Sequence, residues 1–329
     1  MKAAFYRETG RARNVIEIGE LPDPEAGPGE VRVRVAFSGI NPSDVKARAG
    51  RGLRGGFPLV IPHSDGAGTI DQVGPGVPPE RLGTRVWTWN AQIKRPFGTA
   101  AEYVVLPSEQ AVPLPGGVSE QAGACLGVPF MTAWRAVHQR PAVLPGTETI
   151  LVAGGAGTVG GYAIQLARRA GYRVITTISS VRKAEQVLEL GAHHVINYRE
   201  EDVAERIRVL TGGQGVDRII EVDLAANAKL YTGALARGGM VIVYGSSDWS
   251  ARLPLGEFLV HGVELTLFNV YELKERTRAA AILDSATVLA DPSFRHRIAA
   301  TFTIDETIKA HEVVESGQMI GNVLVTPSG

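Results

Sequence analysis

Three glycines, at positions 154, 157 and 160, have the spacing of the turn in which dinucleotide-binding proteins hold a pyrophosphate. The apolar run 150–153 precedes them and an amphipathic stretch follows from Tyr162, which predicts a strand, a tight turn and a helix. Such glycines permit a sharp bend, close approach of the backbone to the phosphates and tight packing of the helix on the strand. The free N–H groups at the helix start then bind the phosphates. The pattern predicts a dinucleotide site; the alternative is a turn whose glycines serve only the fold.

The second predicted strand, residues 173–178, ends where such proteins choose between NAD and NADP. Proteins that prefer NAD place Asp or Glu here to bind the ribose 2′-hydroxyl. In this chain Ser179 and Ser180 are followed by Arg182 and Lys183, so two hydroxyls and two cations are available to a 2′-phosphate. We therefore expect NADPH as the cofactor. The alternative is that both cations lie on the solvated first turn of the next helix.

The composition is that of a globular protein with room for two domains: of 329 residues, 44% are hydrophobic and 21% are charged. The 34 basic and 34 acidic residues cancel, so no global field favours nucleic acid or an anionic membrane. The single cysteine, Cys125, excludes an internal disulfide and a metal site of several thiolates. The N-terminus lacks an apolar signal core, and no run reaches the roughly 18 apolar residues of a membrane span. We expect a soluble, cytoplasmic protein that binds neither nucleic acid nor membrane.

The spacing of predicted elements divides the chain into three segments. Residues 1–124 are rich in Gly and Pro and carry short β-type runs, which predicts an irregular, barrel-like β domain. Residues 125–268 alternate strands with helices, one of them near 225–236, and the six strands predict a doubly wound parallel α/β sheet. Residues 269–329 begin with a helix near 272–289 and are too few for a separate domain, so we expect them to complete the first one.

Several motifs along nearly the whole chain are typical of one protein family. They are Gly39–Asp44 (GINPSD), Pro62–Gly68 (PHSDGAG), Gly127–Ala136 (GVPFMTAWRA), the glycine turn, Gly191–Tyr198 (GAHHVINY) and Gly238–Ser246 (GGMVIVYGS). With them the chain resembles the medium-chain dehydrogenase/reductase superfamily, and within it the zinc-free quinone oxidoreductase branch that contains ζ-crystallin. The resemblance implies a GroES-like, irregular β-barrel catalytic domain and an NADPH-binding Rossmann domain. It also implies a homodimer, formed by edge pairing of the last sheet strand near Leu265 to Phe268.

The metal ligands of related enzymes are missing from this chain. Zinc-dependent members of the family carry Cys, His and Cys at the positions of Asn41, Ser64 and Val128, so the resemblance implies a site without metal. A structural zinc loop of four cysteines is excluded because the chain has one Cys. His63 lies one position from the ligand position, where the zinc-free branch usually has Gly. It either lines the active site or is a hydrogen-bonded structural group.

Without a metal to polarise a carbonyl, the expected chemistry is hydride transfer from NADPH to an acceptor that is already electrophilic. Quinones and α,β-unsaturated carbonyls qualify because added electron density spreads onto their oxygens. We expect an NADPH-dependent quinone oxidoreductase that acts on a small molecule. One alternative is an NADPH-dependent reductase of enone or alkenal double bonds. Another, in a different class, is a non-catalytic NADPH- or RNA-binding protein, against which the zero net charge counts.

The resemblance also assigns residues to the cofactor and the acceptor. Those that would hold the pyrophosphate are Ala156, Gly157, Thr158 and Val159, and those of the 2′-phosphate and adenosine pocket are Ser179, Ser180, Lys183 and Tyr198. Those that would flank the nicotinamide and the acceptor are Pro42, Lys46, Tyr244, Gly245, Ser246, Leu267, Phe268 and Asn269. Asn41 at the acceptor and Thr132 at the nicotinamide carboxamide are the candidate catalytic residues. Alternatively, Tyr198 and Phe268 are core aromatics, and Asn41 is a turn residue before Pro42.

Two departures from the family pattern concern the acceptor side and the cofactor rim. The loop 49–57 has no Tyr, which many relatives carry there, and Gly321 is followed by Asn322 where relatives have Lys. Arg51 and Arg54 in the loop either attract an anionic substrate or are solvated. Both departures leave the hydride chemistry unchanged but bear on which substrate is accepted.

Overall fold

The computed structural model describes residues 1–52, 56–140 and 147–327. The strands, numbered in chain order, are β1 (Lys2–Phe5), β2 (Glu17–Glu20), β3 (Glu30–Ile40), β4 (Asp65–Val73), β5 (Arg85–Thr88), β6 (Tyr103–Pro107), β7 (Ala111–Pro113), β8 (Thr149–Val152), β9 (Arg173–Ile178), β10 (His194–Asn197), β11 (Val216–Glu221), β12 (Leu235–Val243), β13 (Glu264–Leu267), β14 (Ile298–Thr303) and β15 (Asn322–Thr326). The α-helices are α1 (Ala12–Val15), α2 (Pro42–Arg48), α3 (Glu120–Gly123), α4 (Met131–Val137), α5 (Thr158–Arg169), α6 (Ala184–Glu189), α7 (Val203–Leu210), α8 (Leu224–Asn227), α9 (Tyr231–Ala234), α10 (Leu255–His261), α11 (Glu275–Leu289) and α12 (Thr307–Glu315). Within the described residues, no helix combines the length and the apolar character needed to cross a bilayer.

Residues 130–281 form one compact unit, built on a six-stranded parallel sheet. Its strand order is β10-β9-β8-β11-β12-β13, so the chain runs outward from β8 to β10, returns to the other side of β8 and continues to β13. Helices connect the strands, as parallel pairing requires. The order reverses between β8 and β11, the place at which α/β sheets bind ligands beyond their carboxyl ends. The doubly wound parallel sheet expected from the sequence is confirmed.

The central strands of this sheet are buried on both faces. All of β8 is buried, as are the last four residues of β11 and the last five of β12, a pattern typical of parallel strands covered by helices. The prediction of a single helix near 225–236 is wrong. Helix α8 ends at Asn227, a 3-10 turn follows, and α9 ends at Ala234 because Leu235 already pairs with Val216 as the first residue of β12.

Residues 1–129 and 282–329 form a second unit. Its largest sheet has seven strands in the order β14-β15-β3-β4-β5-β7, with β6 also paired to β3. Strand β15 runs antiparallel to β3, so the C-terminal segment contributes strands to the sheet of the N-terminal segment. Compared with the boundaries expected from the sequence, residues 125–129 join this unit and residues 269–281 join the other.

Helix α2 is anchored in this second unit by a buried arginine. Arg48 is fully buried; its Nη2 donates to Glu315 Oε1 of α12 at 2.6 Å, and its Nη1 donates to the carbonyl oxygen of Gly10 at 2.5 Å. The carboxylate and the carbonyl make the burial of a guanidinium tolerable because they accept from both of its terminal nitrogens. The helix begins at Pro42, whose ring suits the first helical position. The anchored helix holds Asn41, the residue before it, in place.

A cluster of fully buried polar side chains lies inside the same unit. His63 Nδ1 lies 2.8 Å from Ser38 Oγ, and His63 Nε2 lies 3.0 Å from His311 Nε2. Ser38 Oγ also lies 2.7 Å from Thr99 Oγ1. Two imidazole nitrogens share a hydrogen bond when one carries a proton and the other does not, as in two neutral rings. His63 is therefore a hydrogen-bonded structural group, the second of its two alternatives.

His63 is unusual in both its backbone and its protonation. Its φ is 77°, in the left-handed region that glycine adopts readily and other residues rarely, which accounts for the Gly usual at this position in the zinc-free branch. Burial lowers the pKa of His63 to about 3. Burial, together with the charges of His63 and Arg48, lowers the pKa of His311 well below its ordinary value. The fold therefore holds both rings neutral.

We predict that these histidines lower the free energy of unfolding as the pH falls from about 6.5 toward 3, because the unfolded chain then binds protons that the folded chain does not. Each contributes a slope of up to about 1.4 kcal/mol per pH unit. His63→Asn removes one titrating ring and keeps a residue that tolerates positive φ. The slope of its free energy of unfolding against pH should therefore lie below that of the wild type by about one proton, that is, by up to about 1.4 kcal/mol per pH unit. Urea unfolding at several pH values between about 4 and 7 measures both slopes.

Ser38→Ala is the matched control, because it removes a hydrogen bond to His63 but no titrating group. It should lower the free energy of unfolding by a similar amount at each pH. Parallel pH curves for the wild type and His63→Asn would contradict the neutral buried pair.

Candidate cofactor and catalytic residues

The glycine turn between β8 and α5 has no room for larger side chains. A Cβ at Gly155 would lie 2.0 Å from Thr176 Oγ1, and one at Gly160 would lie 2.4 Å from the carbonyl oxygen of Gly154. Gly154 itself has a φ of 67°. Helix α5 begins after Gly157, and no side chain of the described residues caps it. The turn therefore packs α5 closely on β8 and leaves the N–H groups of the first helical turn for an anion.

The residues expected to hold the pyrophosphate all lie in this turn and at the start of α5. They are Ala156, Gly157, Thr158 and Val159. Uncapped amides and the space left by the missing Cβ atoms fit a pyrophosphate, whose oxygens accept hydrogen bonds from N–H groups.

The residues expected to bind the 2′-phosphate meet at the carboxyl edge of the sheet. Ser179, Ser180 and Lys183 follow β9, and Lys183 Nζ donates to Ser179 Oγ at 2.9 Å. Tyr198 follows the neighbouring strand β10, and its N–H donates to the carbonyl oxygen of Ile178 at 3.1 Å. Tyr198 is 51% exposed, so it is not a core aromatic. An ammonium, two hydroxyls and a phenol are therefore gathered at the ends of two adjacent strands.

The residues expected beside the nicotinamide lie at the ends of β12 and β13. They are Tyr244, Gly245 and Ser246 after β12, and Leu267, Phe268 and Asn269 at and after the end of β13. The N–H of Phe268 donates to the carbonyl oxygen of Val243 at 3.2 Å, which holds the two groups side by side. A Cβ at Gly245 would lie 2.4 Å from the carbonyl oxygen of Val222, the residue after β11. Only glycine therefore allows the two segments to pack this closely.

Thr132 lies on α4 and is buried. The guanidinium of Arg135, one turn further along α4, lies 5.6 Å from the centre of the Phe268 ring. Helix α4 therefore packs beside the ends of β12 and β13, the edge that carries the predicted nicotinamide residues.

Two acidic residues at the end of β11 were not among the predicted site residues. Glu221 is 1% exposed and accepts hydrogen bonds from Asn227 Nδ2 at 3.0 Å and from the N–H of Asp223; burial raises its pKa. Asp223 accepts the N–H and the hydroxyl of Ser247 at 2.8 and 2.9 Å. Asp223 therefore holds the segment that follows β12, and Glu221 holds the segment that follows β11. Acidic residues at the end of an apolar predicted strand were the signal that could have identified them.

Asn41 caps helix α2 and contacts two carboxyl groups. Its side-chain oxygen accepts the N–H of Asp44, while Asp44 Oδ2 accepts the N–H of Asn41 at 2.7 Å. Asn41 Nδ2 also donates to Asp65 Oδ2 at 2.7 Å. Pro42 and Lys46 are exposed on α2. Asn41 is thus a cap residue, and its side-chain amide also hydrogen-bonds to the carboxyl group of Asp44.

The three positions that hold zinc ligands in related enzymes surround two buried carboxyls. Asn41 Nδ2 and the Val128 N–H donate to Asp65, and the Ser64 N–H donates to Asp44. Burial raises the pKa of Asp65 to about 8 and that of Asp44 to about 7, against the opposing effect of these hydrogen bonds. In the described part of the chain, no three His, Cys, Asp or Glu side chains are grouped to hold a metal ion.

The two departures from the family pattern, the loop 49–57 and Asn322, lie in different surroundings: a described part of the loop is exposed, whereas Asn322 is buried at the start of β15. Arg51 is exposed, and its N–H donates to the carbonyl oxygen of Lys46 at 2.8 Å, whereas Arg54 lies outside the described residues. Asn322 begins β15, and its N–H and Nδ2 donate to the carbonyl oxygen of Arg297 at 2.7 and 3.0 Å. Asn322 therefore has a structural contact within its own unit.

Two family models match the chain. Residues 27–116 match the alcohol dehydrogenase GroES-like domain, and residues 158–285 match the zinc-binding dehydrogenase family. Among relatives, a 2-haloacrylate reductase of Burkholderia sp is 30% identical, over 99% of this chain and 99% of its own length. A quinone oxidoreductase of Rattus norvegicus is 34% identical, over 93% of this chain and 91% of its own length.

Solved structures share the whole fold. An NAD-dependent alcohol dehydrogenase superposes with a TM-score of 0.90 at 27% identity, with both chains covered in full. The mycobacterial protein Rv1454c, solved in complex with NADPH, superposes with a TM-score of 0.85 at 27% identity over 99% of this chain and 100% of that chain. Because relatives at 30% identity and above span nearly its full length, the chain belongs to the medium-chain dehydrogenase/reductase superfamily and, within it, to the quinone oxidoreductase branch.

Proposed function

We propose that the protein is an NADPH-dependent reductase of quinones that works without a metal ion. The observation that carries the proposal is the carboxyl edge of the parallel sheet. At this edge lie the glycine turn, whose helix α5 has no side-chain cap in the described residues, and the contact between Ser179 and Lys183. The segment 179–183 contains no acidic residue. Quinone oxidoreductases of 34% identity, and a solved relative that holds NADPH, support both parts of the proposal.

The cofactor residues act through the chemistry of their donors. The amides at the start of α5 bind the pyrophosphate, and Lys183 with Ser179 binds the 2′-phosphate as a charged donor beside a hydroxyl. The bound NADPH supplies the hydride. Tyr244 to Ser246 and Leu267 to Asn269 position the nicotinamide, and Thr132 donates to its carboxamide.

The acceptor gains negative charge as it takes the hydride, so it needs a hydrogen-bond donor that is already in position. Asn41 is the candidate for this donor, through a side-chain amide that the carboxyl groups of Asp65 and Asp44 hold in place. Zinc is not needed to polarise a quinone, and Asn41, Ser64 and Val128 replace the ligands that would bind it. The three residues make hydrogen bonds to Asp65 and Asp44 in place of metal contacts.

A reductase of activated double bonds is the second candidate, favoured by the 2-haloacrylate reductase that matches 99% of the chain. A halogenated acrylate, like an enone, has a carbon–carbon double bond made electrophilic by a neighbouring carbonyl carbon. The same NADPH site and the same donor would serve either acceptor.

We predict that the protein oxidises NADPH faster with quinones than with enones or 2-haloacrylates, because a quinone spreads the added charge over two oxygens. Loss of NADPH absorbance, measured with matched panels of the three acceptors, gives kcat/KM for each class. Protein treated with a zinc chelator should turn over at the rate of untreated protein. Turnover of double bonds alone would favour the second candidate, and NADPH binding without turnover of any acceptor would favour a non-catalytic protein.

Cofactor choice is expected to depend on Lys183. Lys183→Ala should raise the Kd for NADPH about tenfold to a hundredfold, the loss of one charge-assisted hydrogen bond, and should leave the Kd for NADH unchanged. Arg182→Ala, in the same 3-10 turn, should have an effect of the same sign. Fluorescence titration with both dinucleotides measures these constants. Arg208→Ala, which removes an exposed cation on α7, is the control; equal losses for NADPH and NADH would contradict a 2′-phosphate role.

The protein is further proposed to form a homodimer through β13. This strand is the edge of the parallel sheet, and α10, the helix that precedes it in the chain, exposes Leu255, Leu259 and Val260 at 64, 74 and 66%. An unpaired edge strand next to apolar side chains suits pairing with a second copy.

Sizing by sedimentation should give twice the 35.0 kDa of the chain. Leu259→Glu should shift the protein toward the monomer, because it places a charge in an apolar contact, and should leave NADPH binding intact. Leu283→Glu is a matched control, since Leu283 is 77% exposed on α11. A monomeric wild type would exclude the proposed dimer.

A further inference from the structure

We propose that Asp223 binds the ribose next to the nicotinamide: its carboxyl group accepts a hydrogen bond from a hydroxyl of that sugar. The inference rests on the proposed function, in which the chain binds NADPH, and it adds a cofactor residue outside the predicted set. A carboxylate forms stronger hydrogen bonds with hydroxyl groups than a neutral acceptor does. Proteins that prefer NAD use the same pairing at the other ribose of the cofactor.

The order of the strands across the sheet gives the expected position of each part of the cofactor. Strands β9, β8, β11 and β12 are direct neighbours in that order. The candidate residues for the 2′-phosphate follow β9, the glycine turn for the pyrophosphate follows β8, and the first candidate nicotinamide residues follow β12. In NADPH one ribose lies between the pyrophosphate and the nicotinamide. That ribose is therefore expected beyond the end of β11, the strand between β8 and β12.

Asp223 lies at this place. It follows β11, which ends at Glu221, and the residue between them contacts the segments on both sides. A Cβ at Gly154 would lie 3.5 Å from Val222 Cγ1, and one at Gly245 would lie 2.4 Å from the carbonyl oxygen of Val222. The segment after β11 is thus packed between the glycine turn and the segment that follows β12. Asp223 is half-buried there.

The fold uses one oxygen of the Asp223 carboxyl group and leaves the other for a ligand. Oδ1 accepts the N–H of Ser247 at 2.8 Å, the hydroxyl of Ser247 at 2.9 Å and the N–H of Ala226 at 3.4 Å. Among residues 1–52, 56–140 and 147–327, neither a hydrogen bond nor an ion pair involves Oδ2. Because its donors hold Oδ1 in place, Oδ2 is an acceptor that needs little ordering when a ligand binds.

Further hydrogen bonds connect the proposed ribose position to the candidate nicotinamide residues. The N–H of Leu224 donates to the carbonyl oxygen of Gly245 at 3.2 Å, and the N–H of Ala225 donates to Ser246 Oγ at 3.3 Å. With the contacts of Asp223, they join the segments 223–226 and 245–247. A sugar bound by Asp223 is therefore held in a fixed relation to the residues that orient the ring, as hydride transfer requires.

The charge of the cofactor gives the proposal a distinctive sign. NADPH carries the negative charges of a pyrophosphate and a 2′-phosphate, so a nearby carboxylate repels it unless a direct contact offsets the repulsion. If Asp223 did not contact the sugar, removal of its charge would leave the affinity unchanged or raise it. A loss of affinity that is confined to ligands with this ribose therefore indicates a hydrogen bond.

Binding of three ligands to Asp223→Ala tests the proposal. The ligands are NADPH, 2′-phospho-ADP-ribose, which keeps the second ribose but lacks nicotinamide, and 2′,5′-ADP, which lacks both. The Kd of the first two should rise about tenfold, the loss of one charge-assisted hydrogen bond, and that of 2′,5′-ADP should not change. Titration calorimetry measures all three constants without any acceptor.

The outcomes separate this proposal from the proposed function. An unchanged Kd for 2′-phospho-ADP-ribose would overturn the ribose contact, and so would equal losses for all three ligands, which would indicate a disturbed site. Neither result bears on quinone turnover by the wild type, which is measured separately. A wild type that binds none of the three ligands would overturn this proposal together with the NADPH site.

A second variant and a control keep the test independent of folding. If Asp223→Ala does not fold, Asp223→Asn keeps the size of the side chain and an oxygen for Ser247. It should raise the same two Kd values about fivefold, because a neutral hydrogen bond replaces a charged one. Asp217→Ala is the matched control: Asp217 is half-buried near the other end of β11, and its Oδ2 accepts the N–H of Thr149 at 2.7 Å. It should leave all three constants unchanged.

Discussion

Close backbone packing at the glycine turn is the constraint on which the cofactor side of the protein depends. The carbonyl oxygen of Gly154 and the missing Cβ of Gly160 allow α5 to lie directly on β8, and any side chain at Gly155 would meet Thr176 of the neighbouring strand. With α5 in this position, its first N–H groups lie at the carboxyl edge of the sheet. The ends of β9, β10, β12 and β13 reach the same edge because parallel strands end together. The position of α5 and the parallel strand ends thus bring the candidate phosphate, ribose and nicotinamide residues to one edge of the sheet.

The placement of these candidate residues at one edge of the sheet was predictable because their signals are local. Gly154, Gly157 and Gly160 lie within one turn, and Ser179 and Lys183 are four positions apart, so spacing along the chain nearly equals spacing in the fold. The six-stranded sheet was predictable for a similar reason: each strand is one apolar run buried on both faces. The broken helix between β11 and β12 was not, since its end is decided by pairing of Leu235 with a distant strand.

Local sequence patterns do not predict the cluster of buried hydrogen bonds around Asp65 in the second unit. Asn41, Asp65 and Val128 come from three distant segments. The register of β3 with β4, which puts Gly39 opposite Asp65, brings the first two together, and the N–H of Val128 reaches Asp65 from a third segment. Comparison with zinc-dependent relatives identified Asn41, Ser64 and Val128 as positions that have lost their metal ligands. It did not identify the buried, hydrogen-bonded carboxyl group of Asp65 beside them. His63 shows the same limit, because its partner His311 is 248 residues away.

Two pairs of buried ionisable side chains in this unit make the free energy of unfolding depend on pH in opposite directions. Asp44 and Asp65 have folded pKa values of about 7 and 8, above those of an unfolded chain near 4, so the stability they contribute is complete at low pH and is lost as the pH rises toward 8. His63 and His311 have lowered values, so their contribution is complete above about 6.5 and is lost as the pH falls. Between about 4 and 6.5 the two trends offset each other, and above that range the carboxyls alone set the slope. The carboxyl group of Asp65 therefore weakens the fold most at alkaline pH, where its ionised form is buried without a cation among its hydrogen-bond partners in the described residues.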